Sequence, residues 1–152
     1  MRFCDRTFAD YIAFTRGPFL LLSLVFGLRW LVSECGLRPQ FAQLFSLTAL
    51  SIPIVVYLPL KLYNHKFGAY PQLGLIYLLM ACWLNLLITG AILLAAITGR
   101  ENIYSLADLG RLTDHGTHIL AHLTVGISVS TLINLGIGSI ILSLLRRNDR
   151  RH

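Results

Sequence analysis

Hydrophobic positions along this chain form unbroken runs instead of an amphipathic period. Residues 41–60 and 73–98 carry no charged side chain, and residues 119–145 carry a single ionisable one, His122. A hydrocarbon core of about 30 Å takes ~20 helical residues, so each of these runs predicts a transmembrane helix. A weaker segment precedes them: residues 17–28 are apolar, Arg29 interrupts, and residues 30–33 resume. It counts as a span because Pro18 suits the first turn of a helix and Arg29 stands close enough to the far end to snorkel. The predicted fold is therefore all-α, an integral membrane four-helix bundle with spans at about 17–35, 41–61, 72–98 and 117–145 in a single domain over residues 1–152. Pro53 and Pro59 predict kinks in the second span.

The connections are short. Residues 61–72 mix polar and aromatic side chains, among them Tyr63, His65, Tyr70 and Pro71, which suits an interfacial belt. Residues 99–115 carry Ile103, Leu106, Leu109 and Leu112 at roughly helical spacing after Asn102 or Ser105 as a cap. That pattern predicts a short helix on the outer membrane surface.

Composition agrees with the runs and narrows the classes. Hydrophobic residues make up 55% of the chain and charged residues 13%, too few to clothe a soluble surface. The formal charge of +6 does not point to nucleic acid, because the arginines stand mostly beside apolar runs. Nine Lys and Arg lie on one predicted side (Arg2, Arg6, Arg16, Lys61, Lys66, Arg146, Arg147, Arg150, Arg151) and four on the other (Arg29, Arg38, Arg100, Arg111). The positive-inside rule then puts both termini in the cytoplasm, in an inner or plasma membrane. The three basic residues before the first apolar segment have the look of a secretory leader, but no A-x-A-like site follows, so the segment is read as a span. Cys4, Cys35 and Cys82 fall at different depths and cannot bridge, and no C-x-x-C speaks for thiol exchange.

In lipid, small and polar residues mark helix contacts. His122, Gly126, Ser130, Asn134 and Gly138 recur at every fourth position of the last span, and Ala81, Asn85 and Thr89 answer in the third. This predicts an antiparallel pair in which the Asn85 and Asn134 amides meet near mid-membrane.

The sharpest chemical cluster is Asp114, His115, His118 and His122, whose imidazoles follow i, i+3, i+7 on one helical stripe. His118 and His122, one turn apart, suit a shared metal ion, with Asp114 as an oxygen ligand or orienting group. His122 alone suits an axial role to a haem or chlorophyll-like pigment, Gly126 leaving room beside it. Proton relay and simple helix contact are the competing uses of the same residues. Arg29 needs water, an acid, a lipid phosphate or a partner protein to offset its cost in the apolar layer. No hydrolase elbow, phosphate-cradling loop, H-E-x-x-H or intramembrane carboxylate pair is present.

The expected function is that of an accessory or structural subunit of a larger membrane complex, in contact with lipids and other membrane subunits. The alternatives are a small redox, metal or pigment protein using His118 and His122 on the outer side, and a small transporter with Asn85, Asn134 and the second-span prolines along its path.

Overall fold

A computed structural model describes residues 2–3, 5–36, 45–105 and 114–149. Among them, two short strands, β1 (Arg2–Phe3) and β2 (Arg6–Thr7), pair antiparallel as a hairpin that turns through Asp5 in the left-handed region. Helices α1 (Phe8–Glu34), α2 (Leu47–Asn64) and α3 (Tyr70–Thr98) follow. The last helix, α4, runs from His115 to Asp149 and contains a π-helical stretch at His122–Gly126. All four helices are long and apolar enough to cross a membrane.

The first span begins earlier than expected. Thr7 caps α1 by accepting from the Asp10 amide, while the Asp10 carboxylate accepts from the Thr7 amide, 2.7 Å away, and from the Thr7 hydroxyl. This reciprocal box starts the helix at Phe8, so Pro18 sits in the helix interior and not in a first turn. The helix also runs unbroken through Arg29. The second span starts at Leu47 on a Ser46 cap, the third gains residues 70 and 71, and the fourth continues to Asp149. Most of the expected surface helix, residues 106–113, lies outside the described residues.

The interior prolines explain two of the bonds between helices. A proline lacks the N–H that would bond the carbonyl four residues earlier. Pro18 so leaves the Phe14 carbonyl without its helical donor, and the Lys61 ammonium on α2 donates to it at 2.6 Å while lying over the Phe14 ring. Pro59 leaves the Val55 carbonyl, and the buried Tyr77 hydroxyl on α3 donates to it at 2.7 Å. Each helix defect becomes a specific tie to a neighbour, because a lone buried acceptor is costly in an apolar layer.

The helices alternate in direction. Arg6 donates to the Phe67 carbonyl and Arg146 to the Gly68 carbonyl, so the start of α1, the α2–α3 turn and the end of α4 share one end of the bundle. We call it the Arg146 end, and its opposite the His118 end. Around the bundle, α3 packs against α4 and α1, and α2 against α4 and more lightly α1; α2 and α3 lie across the diagonal. The fully buried side chains Tyr11, Thr15, Leu58, Pro59, Leu62, Leu73, Ile76, Tyr77 and Leu142 concentrate toward the Arg146 end, while Ile92, as fully buried, lies toward the other.

The His118 end is closed differently. After the left-handed Gly99, residues 100–105 fold back against the helices. Asn102, buried, donates to the Ala91 carbonyl at 2.7 Å and accepts from the Tyr104 and Ser105 amides, tying the turn to α3. Tyr104 stacks on Phe26 with ring centroids 4.5 Å apart and donates its hydroxyl to the Phe26 carbonyl.

A candidate ligand cavity at the His118 end

The site begins with the start of α4. The Asp114 carboxylate accepts from the Thr117 amide and hydroxyl, both at 2.8 Å, an N-cap that also holds its pKa below the ordinary carboxylate range through those same bonds. The first turn places His115 with Nε2 3.4 Å from the Glu101 carboxylate, at the rim. One turn on, His118 is buried, and its ring lies 5.0 Å from that of His122.

His122 opens the π-helical stretch, where the Ile127 amide reaches back to the His122 carbonyl. A π-turn inserts one residue and widens the helix locally, and such turns recur at functional sites. Here it lets α3 come close: His122 Nδ1 lies 3.0 Å from Asn85 Oδ1, and a Cβ placed on Gly126 would stand 2.5 Å from that same oxygen. The Asn85 amide nitrogen donates to the Ala81 carbonyl at 2.9 Å, which fixes the amide's orientation. Its oxygen is then the acceptor facing His122, to which Nδ1 donates.

Above these residues Arg29 projects from α1, its guanidinium 5.6 Å from the Tyr104 ring centroid and its Nε buried without a hydrogen-bond partner among the described residues. Burial pushes the Tyr104 phenol up to about 12, against the pull of the Arg29 charge, so it stays protonated.

Between these groups lies a cavity of about 490 Å³. Arg29, Tyr104, His118 and His122 line its polar end; Leu22, Ile54, Met80, Leu84 and Ile88 are among its apolar walls; Thr48, Ser51, Ser130 and Asn134 add hydroxyls and an amide. The hollow opens to the surface on one side, so it is a cleft between the helices and not a sealed void.

The predicted site residues divide among several places. Asn85 pairs with His122 and not with Asn134, which faces the cavity together with Ser130. Gly138 packs under the Tyr77 ring, and Gly126 under Asn85. The room expected beside His122 at Gly126 is filled by the Asn85 amide. Asp114 is engaged in its cap, and among the described residues no three or more His, Cys, Asp or Glu side chains are gathered as a metal site would need. Tyr77 and Tyr104, with Thr48 and Ser51, are polar residues around the site that sequence reading passed over. The signal for Tyr77 was Pro59, which requires a donor from another helix; Tyr104 has no such signal.

Comparison of the chain with protein families, with characterised proteins and with solved structures gives no match.

Proposed function

We propose that this chain is a multi-pass membrane protein whose bundle holds a small amphiphilic molecule. The molecule's polar group sits by Arg29, His118 and His122, and its apolar body lies among the four helices. One observation carries the reading: the cavity of about 490 Å³ is within the size range of small-molecule sites and has their composition, apolar walls with a few convergent polar groups. The π-turn at His122 supports it, since that turn costs regular helix geometry at the cavity wall. In the membrane, the nine-to-four bias of basic residues sets the Arg146 end in the cytoplasm and the cavity toward the outer surface.

The test is extraction of the purified chain and mass spectrometry of what it carries. Ala81→Phe, which fills the cavity from a buried position, is expected to lose the bound molecule, whereas Ile140→Phe on an exposed face is expected to retain it. A wild-type protein that yields no molecule beyond those retained equally by Ala81→Phe overturns the reading.

A second reading, the accessory subunit, is favoured by α4. Only 11% of its most apolar stretch is buried, against 33% in each of the other helices. Its exposed face carries Thr124, Ser128, Gly136 and Ser143 interspersed with Leu132 and Ile140, small and polar groups of the kind that mark helix contacts in lipid. Disulfide trapping or photocrosslinking from position 136 in native membranes tests it: a second protein captured there supports a subunit, and lipid alone overturns it.

A further inference from the structure

Resting on the cavity reading, we propose that the molecule held is an anion: an amphiphile whose carboxylate or phosphate meets the Arg29 guanidinium while its chain runs down the apolar side of the cavity. Arg29 is a permanent cation partly withdrawn from solvent, and its Nε is buried with no acceptor among the described residues. A buried charge is stable only when paired and hydrogen-bonded. The acids of the described residues at this end are engaged elsewhere. Glu34 accepts from the Trp30 indole at 3.2 Å, Glu101 accepts from Ser105 and faces His115, and Asp114 caps α4. None of these three lines the cavity; Arg29 does.

The Tyr104 ring beside the guanidinium gives some electrostatic relief but no acceptor in the guanidinium plane. The planar fork is the group that fits a carboxylate or phosphate through paired N–H bonds. A neutral ligand would leave Nε as it stands now. From Arg29 the cavity leads past Leu22, Ile54, Met80 and Leu84, which suits an alkyl chain and excludes a small hydrophilic anion as the sole occupant.

Photocrosslinking separates this inference from the reading beneath it. The full chain in phosphatidylcholine nanodiscs at pH 8.5 is exposed to a diazirine-bearing dodecanoic acid, to the corresponding diazirine alcohol, and to a diazirine-bearing phosphatidic acid. Adducts are then mapped by peptide mass spectrometry. The acid is expected to label cavity-lining peptides of α3 and α4 about tenfold or more above the alcohol, the ratio that one charge-assisted hydrogen bond supplies. Arg29→Gln is expected to remove that preference and Arg29→Lys to keep most of it. Competition of unlabelled dodecanoate against dodecanol on the wild-type chain gives the same answer should Arg29→Gln fail to assemble. Preferential labelling by phosphatidic acid identifies a membrane lipid as the source of the anion, and preferential labelling by dodecanoic acid identifies a free one. Equal cavity labelling by acid and alcohol overturns the anion and leaves the cavity reading standing; an acid preference that survives Arg29→Gln overturns the role of Arg29. No cavity labelling by any probe overturns both.

Discussion

The tie between Pro59, Val55 and Tyr77 shows how single residues set this bundle. Tyr77→Phe removes a buried side-chain donor from a carbonyl that proline has already stripped of its usual helical partner. Side-chain hydrogen bonds in membranes average about 0.6 kcal/mol, because alternatives are at hand, but here proline has removed the nearest one, so a cost of about 1 to 2 kcal/mol is expected. Pro59→Ala restores the missing N–H, and in that background Tyr77→Phe is expected to cost less than half as much, measured as a double-mutant cycle by unfolding in mixed micelles. Equal costs in both backgrounds would show that the hydroxyl does not answer for the proline. Asp114 gives a pH dependence of definite sign. The bonds from Thr117 favour the carboxylate, so its pKa is held below the unfolded value. The cap's contribution is present above the ordinary carboxylate pKa of about 4 and is lost as pH falls through the lowered one. Amide-exchange protection at Thr117 and His118 is expected to hold from neutral pH to the ordinary carboxylate range and drop below it. Asp114→Ala is expected to show low protection throughout.

At the scale of elements, the apolar runs told the existence and approximate bounds of four helices, because run length alone decides what can span a bilayer. The departures from those bounds have local causes. The start of α1 was legible in Thr7 and Asp10, a capping pair that lies well ahead of the hydrophobic run and so escapes a reading by run length. The π-turn has no equivalent signature: it adds a residue and shifts the helical register by about 100°. His122 and Gly126 meet Asn85, His122 also lines the cavity with Ser130 and Asn134, and Gly138 packs on Tyr77 of the same neighbouring helix. Gly126→Ala is expected to force Asn85 off His122 or part the helices, lowering stability by about 1 to 3 kcal/mol. Gly136→Ala, with nothing within 4 Å of its new Cβ, is expected to be neutral or slightly stabilising. Thermal melts of the two variants in the same detergent check the contrast; equal behaviour would mean that close approach at Gly126 is not needed.

In the whole molecule, a well-filled half and a hollow half share one bundle, and no inspection of separate helices foretells that division. A cavity is a shortfall in side-chain volume summed over four surfaces, visible only once register and rotation are fixed. Arg29, His118 and His122 were legible as unusual residues; their convergence on one space with Tyr104 was not. The orientation proposed for the membrane is tested with the native cysteines. A membrane-impermeant maleimide applied to intact cells is expected to modify Cys35, which is exposed, and to reach Cys4 only after lysis. Labelling of Cys4 before lysis would reverse the topology and put the cavity on the cytoplasmic side. The unequal helix lengths carry a consequence for the lipid itself. The 18 residues of α2 span about 27 Å and the 29 of α3 about 43 Å, against a hydrocarbon core of about 30 Å. Hydrophobic mismatch of that kind is relieved by tilting the long helix and thinning the bilayer beside the short one. Relief of that mismatch at the start of α2 would draw headgroups toward Thr48 and Ser51 and make membrane thickness a variable to which the cavity mouth responds.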